Sequence, residues 1–207
     1  NDSSGNNNTG TIVGNPVWTG GPDGSTALSL DGAGDYISFT NQNLTRDFTA
    51  SLWMRPSGSG GYVFGNTDPS CCSTSANNSN WISVNGNTAQ SKFQNTYNGI
   101  MSLNTSLTAN TWQQFTFVRS SSTHFAYLNG ALVGTQAEYA NTINTFPINA
   151  IGLGSNFSSL SALVDNVRIY NYALTSSAVQ ALYTGDQSTL PPPPPPPPAP
   201  APTLTFT

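Results

Sequence analysis

Nine residues, FTASLWMRP (48–56), set the strongest limit on what this chain can fold into. Phe48, Ala50, Leu52 and Met54 alternate with Thr49, Ser51, Trp53 and Arg55. A period of two puts the apolar set on one face of a β-strand and the other set on the opposite face. Similar short runs follow one another along the chain: ALSL, YISF, GYVFG, WISVN, GIMSL, WQQFTFVRS and AIGLG. HFAYL and ALVGT flank Asn129-Gly130, a dipeptide that favours a two-residue type I′ hairpin turn because both positions tolerate positive φ. Gly and Asn punctuate the rest. Many short strands separated by turn residues predict an all-β, antiparallel two-sheet sandwich of the jelly-roll type.

One helix is expected, in ALTSSAVQALYTG. Thr175 caps its first turn, Leu174 packs back on Val179, and Ala178, Val179 and Leu182 form an apolar stripe. Gly185 suits the stop. The helix is short and plugs one end of the sandwich.

Composition narrows the function. Only 7% of residues are charged, with five basic against nine acidic side chains and a net charge of -4. No basic run is present to neutralise a row of phosphates, so nucleic acid is excluded as a partner. No apolar stretch approaches the ~18 residues that span a bilayer. The chain starts at Asn1 without a Met or a signal-like segment and reads as a processed product or a fragment. Asn-x-Ser/Thr sequons begin at Asn1, Asn7, Asn43, Asn77, Asn104 and Asn156. With the scarcity of Lys and Glu, they point to an extracellular or cell-surface protein with sugar-acceptor sites. The two cysteines, Cys71 and Cys72, are adjacent in DPSCCSTS. The favoured reading is a vicinal disulfide, with an intermolecular link or a reduced pair as the alternatives.

The segments DSSGNNNTGTIVG, ALSLDGAGDYISF, FTASLWMRP, FAYLNGALVGT and VDNVRIYNYALTSSAVQALY carry a resemblance. In this order they resemble the successive motifs of the laminin-G-like, concanavalin A-like lectin and glucanase jelly rolls, over roughly residues 1–184. The resemblance implies two facing antiparallel sheets in modules that bind glycans or mediate extracellular contacts. It does not imply one function, because the fold carries lectins, glycosidases and structural modules. It also implies an apolar strand before the DSSGN turn, lying next to the last strand. Here the chain begins at the turn, which leaves a sheet edge or slot open.

Glycosidases of this fold need two carboxylates flanking the scissile bond. The one glutamate, Glu138, has no acidic neighbour within a strand's length, and the one histidine, His124, reads as a polar surface residue at the start of a hairpin strand. Catalysis is not expected. Asp165, in ALVDNVRIY, alternates in phase with Leu163, Val167 and Ile169, so strict alternation places it inward. A buried carboxylate must be paired, hydrogen-bonded or bound to a cation. Two readings stay open: a structural calcium ion held by Asp165 with Asp2 and Asp31, in line with the calcium common in related jelly rolls, or backbone N–H bonds without a metal. Trp81, Tyr62 and Tyr97 are candidates for a sugar-stacking platform, against ordinary packing as the alternative.

The chain closes with PPPPPPPPAPAPTLTFT. The expected division is a jelly roll over 1–186, a proline-rich linker over 187–202 and a strand over 203–207. As polyproline II, Pro191–Pro202 spans roughly 37 Å at about 3.1 Å per residue. Thr203, Leu204, Thr205, Phe206 and Thr207 alternate as a strand. One reading is that this strand enters the open sheet of another copy and builds a head-to-tail fibre. The other is that it opens a following domain. A calcium-dependent glycan-binding module in a longer protein is the competing function.

Overall fold

The computed structural model describes residues 2–44, 47–57, 60–67, 79–85, 88–94, 100–104, 107–138, 146–153 and 159–185. Cys71, Cys72, Tyr97, Asn1, Asn77, Asn156 and the strand 203–207 lie outside them.

The described residues form fourteen strands: β1 (Thr11–Val13), β2 (Val17–Gly20), β3 (Thr26–Asp31), β4 (Tyr36–Leu44), β5 (Phe48–Pro56), β6 (Gly61–Gly65), β7 (Ser79–Asn85), β8 (Thr88–Gln94), β9 (Ile100–Asn104), β10 (Gln113–Ser120), β11 (Thr123–Leu128), β12 (Ala131–Ala137), β13 (Phe146–Ile151) and β14 (Ser161–Tyr170). They make two seven-stranded sheets, ordered β1-β4-β13-β6-β7-β8-β9 and β12-β11-β10-β5-β14-β3-β2. All the pairings are antiparallel. The expected two-sheet sandwich is therefore present.

The alternation in β5 works as read. Phe48, Ala50, Leu52 and Met54 are fully buried in the core between the sheets, with Phe115, Phe117, Phe64, Phe146 and Ile148. The opposite face of the same sheet is covered by helix α1 (Ser176–Thr184) and the segment that leads into it. There Trp53 stacks on Tyr183 with ring centroids 5.7 Å apart. Thr49 Oγ1 donates to the Tyr172 carbonyl at 3.0 Å and accepts from Leu174 N at 2.9 Å. Ser51 and Thr116 share a hydroxyl hydrogen bond of 2.7 Å. Thr49 and Ser51 are thus buried too, each with a partner, because a second layer lies on the sheet, whereas Arg55 at the end of the strand is exposed.

The helix signals also hold. Ala178 N donates to Thr175 Oγ1 at 3.2 Å, and Gly185 ends the helix at φ 78°. Asn129 and Gly130 turn the β11–β12 hairpin with φ 50° and 77°. A side chain at Gly130 would also strike Gln180 Oε1 at 2.6 Å, so this turn carries the helix against it.

Candidate functional site

Among the described residues, strand β14 is flanked on both edges over only part of its length. On one edge it pairs with β5 along its length, from Ala162↔Pro56 to Tyr170↔Thr49. On the other edge it pairs with β3 only from Ser161↔Asp31 to Val164↔Leu28. The β2–β3 turn then meets β14 at Asp165. Ser25 Oγ donates to Asp165 Oδ2 at 2.5 Å, and a side chain at Gly21 would fall 2.8 Å from the same oxygen. Beyond that turn, among the described residues, no strand occupies the lane beside residues 166–170.

A bulge determines what faces this lane. Asp165 lies opposite Trp53, whereas Arg168 lies opposite Ser51, so β14 carries one extra residue there. Asn166 accommodates it in the left-handed region, at φ 48°. Before the bulge, Ala162 and Val164 point into the core. After it, Val167 and Ile169 do, half-buried and packed against the core cluster. Asp165 therefore faces outward with Trp53, and its expected inward position is corrected. Strict alternation fails because the extra residue reverses the phase.

The three carboxylates proposed for calcium do not converge. Asp165 accepts the Ser25 hydroxyl and the Asn166 N–H, the latter at 2.7 Å. Asp2 accepts Ser4 N, Ser4 Oγ and Asn8 N at 2.8–2.9 Å, and these bonds hold its carboxyl below the usual range. Asp31 accepts Ala33 N at 2.7 Å. Among the described residues no three His, Cys, Asp or Glu side chains gather where they could share a metal ion. A carboxylate that sequence reasoning passed over, Asp35, is instead 2% exposed and accepts Asn15 N at 2.8 Å and Asp31 N at 3.3 Å. It ties together two of the crossovers between the sheets, β1–β2 and β3–β4.

His124 is also corrected: it is not on the surface but fully buried, in a cluster that ties the sheets together. Its register partner on β10 is Arg119, also fully buried. Glu138, just past β12, accepts from Arg119 Nε and, at 3.3 Å, from Arg119 Nη2, and lies 2.9 Å from His124 Nε2. Ser91 Oγ of β8, on the other sheet, lies 3.0 Å from His124 Nδ1. The network assigns a neutral imidazole whose Nε2–H donates to Glu138 and whose Nδ1 accepts from Ser91. Burial holds the His124 pKa below its ordinary value, against the pull of Glu138. For Glu138, burial alone would raise the carboxyl, but the hydrogen bonds from His124 and Arg119 outweigh it and hold it at about 2. A carboxylate held this way is part of the core and is not offered to a substrate.

Of the aromatic candidates, Tyr62 is half-buried on β6, opposite Ser83 of β7, and Trp81 lies on β7 opposite Gly65. The exposed aromatic that sequence reasoning missed is Trp18, 62% exposed on the edge strand β2 beside Val17. Among the sequons, Asn7 and Asn43 are exposed.

Two seven-stranded antiparallel sheets enclosing one core, with a short helix against the outer face of one, define a concanavalin A-like jelly roll. The Laminin_G_3 family model, described as the concanavalin A-like lectin/glucanases superfamily, matches residues 31–180, and the chain belongs to this family. No curated protein sequence matches it. Among solved structures it is similar to domain 4 of a GH43 extracellular arabinanase from Geobacillus stearothermophilus, solved with arabinotriose (23% identity, TM-score 0.69, 88% of this chain and 91% of that one). It is also similar to the binding domain of Paraclostridial Mosquitocidal Protein 1 (21% identity, TM-score 0.68, 89% of this chain). A third is the binding domain of Botulinum Neurotoxin DC in complex with SialylT (18% identity, TM-score 0.65, 91% of this chain). The chain spans 49% of each of the two toxin chains. At these identities the likeness is one of fold.

Proposed function

We propose that this chain is a non-catalytic extracellular building block that joins copies of itself head to tail into a surface fibre through its C-terminal strand. The observation that carries this reading is the half-paired β14, where Val167 and Ile169 border a lane that β3 leaves empty. Such an edge invites another strand. Residues 203–207 are a strand-like segment of matching length, with two apolar side chains, Leu204 and Phe206, on one face.

Geometry favours a strand from another copy over the chain's own. Tyr183, near the end of α1, stacks on Trp53, and Trp53 pairs with Asp165 at the near end of the lane. From Gly185 the lane is on the order of 10–20 Å away, given strand spacings of about 5 Å and rises of about 3.3 Å per residue. As polyproline II, Pro191–Pro202 would span roughly 37 Å. A rod of that length would overshoot its own lane and reach a neighbour's.

The test compares the full chain with one lacking residues 203–207, by sedimentation and electron microscopy. Ordered fibres that disappear on deletion support the reading. A monodisperse full-length monomer, or unchanged fibres after deletion, overturns it and leaves residues 187–202 as a linker to a further domain.

A second reading is glycan binding, favoured by the saccharides that accompany two of the similar structures and by exposed Trp18 on this chain. A glycan array answers it: binding lost on Trp18→Ala or Trp81→Ala supports it, and an array without binding removes it.

A further inference from the structure

The geometry points to one direction and one register for the incoming strand: antiparallel to β14, with Leu204 opposite Ile169 and Phe206 opposite Val167. This rests on the assembly reading above and deepens it.

Direction follows from what blocks the lane. At its Asp165 end the β2–β3 turn sits directly against β14, with Ser25 bonded to Asp165 and Gly21 in close approach. A stiff rod cannot pass through that turn in the plane of the sheet. At the Tyr170 end β14 runs out, and the chain leaves through Asn171 and Tyr172 towards the helix over the sheet's outer face. The residue joined to the rod, Thr203, must therefore enter beside Tyr170. The strand then runs towards Asn166, antiparallel to β14 and in line with β3.

Register follows from parity and length. The bulge leaves two inward side chains in this half of β14, Val167 and Ile169, alternating with the outward-facing Arg168 and Tyr170. TLTFT offers two apolar side chains between three threonines. Directly paired residues share a face, so inward must meet inward. Thr203 lies opposite Tyr170, Leu204 opposite Ile169, Thr205 opposite Arg168, Phe206 opposite Val167 and Thr207 opposite Asn166. A slip of one residue turns both apolar side chains outward. A slip of two drives Phe206 either against the turn at Asp165 or leaves Leu204 beyond the end of β14. The five-residue match admits no second solution.

The experiment uses the chain lacking residues 203–207 and a synthetic PTLTFT peptide with a nitroxide on its N-terminal proline, read by NMR line broadening. Broadening is expected to be strongest at Asn171 and Tyr172 and weakest at residues 21–25. Leu204→Glu and Phe206→Glu peptides should bind at least about tenfold more weakly, because each would bury a charge. Thr205→Glu, which faces outward beside Arg168, should bind within about threefold. Strongest broadening at residues 21–25 would overturn the direction and leave head-to-tail assembly standing. Equal weakening by all three glutamates would overturn the register alone. No binding of the unsubstituted peptide, or broadening centred on β12, would overturn the assembly reading itself.

Discussion

The two halves of β14 differ in one respect. Residues 161–164 have a strand on each side, β3 and β5, and their inward side chains Ala162 and Val164 are almost fully buried. Residues 165–170 pair with β5, and their inward side chains Val167 and Ile169 are only half-buried, although chemically they are as fit for a core. Nothing in residue type separates the halves. The difference is the neighbour, and an apolar side chain half out of water is a place where added contact gives further stabilisation. At the closed extreme stands the Arg119–Glu138–His124–Ser91 cluster, where the charged and polar groups meet each other between the sheets.

The largest test of the contrast is therefore to damage the closed interior. Glu138→Ala leaves the Arg119 guanidinium buried without its carboxylate and should cost about 3–5 kcal/mol in urea unfolding of the single subunit. An effect under about 1 kcal/mol would show that the cluster is open to water.

Val164→Ala and Ile169→Ala then compare the halves directly. Val164→Ala should cost about 2 kcal/mol, from two methyl-sized groups at about 0.8 kcal/mol each plus a small cavity. Ile169→Ala should cost less than Val164→Ala in a subunit lacking residues 203–207, despite removing more atoms, and should weaken PTLTFT binding. Equal or greater loss at Ile169 in the free subunit would mean that its half of β14 is already closed.

Acid should act on the closed end. His124 has a folded pKa below its ordinary 6.5, so its contribution is complete above that pH and is lost as pH falls and the unfolded chain takes the proton. Glu138, lowered from 4.5 to about 2, adds a loss in the same direction between those values. The urea midpoint should fall from pH 7 to pH 5, with a limiting slope of about 1.4 kcal/mol per pH unit from the one histidine proton. A flat profile would contradict the neutral, buried imidazole. The smallest effect expected is that of Thr175→Ala, about 1 kcal/mol for one lost helix cap, with no change in peptide binding.

Much of this fold was legible in sequence because its signals are local. The alternation in β5, the Asn129-Gly130 turn, Thr175 and Gly185 each depend on a few adjacent residues, and each holds. What was not legible depends on distance or on a break in pattern. Asp165 faces outward because Asn166 inserts a bulge, which strict alternation cannot register. His124 is buried because Arg119, Glu138 and Ser91 come from other strands, and isolated in sequence it looks like a surface residue. Asp35 was passed over because Asn15, whose N–H it accepts, lies 20 residues away in sequence. A stretch of β14 without β3 beside it was expected only through the resemblance to a family with an extra strand; the bulge that turns Val167 and Ile169 inward was not expected.

Whether residues 166–170 accept a strand from another copy can be read by hydrogen exchange on the chain lacking residues 203–207, with and without unlabelled PTLTFT peptide. Amides of residues 166–170 should exchange faster than those of residues 162–164 in the bare subunit and become protected on adding peptide, while β12 at the far edge should not change. Amides in residues 166–170 that are already fully protected without peptide, or that stay unprotected at saturating peptide, would contradict strand acceptance there.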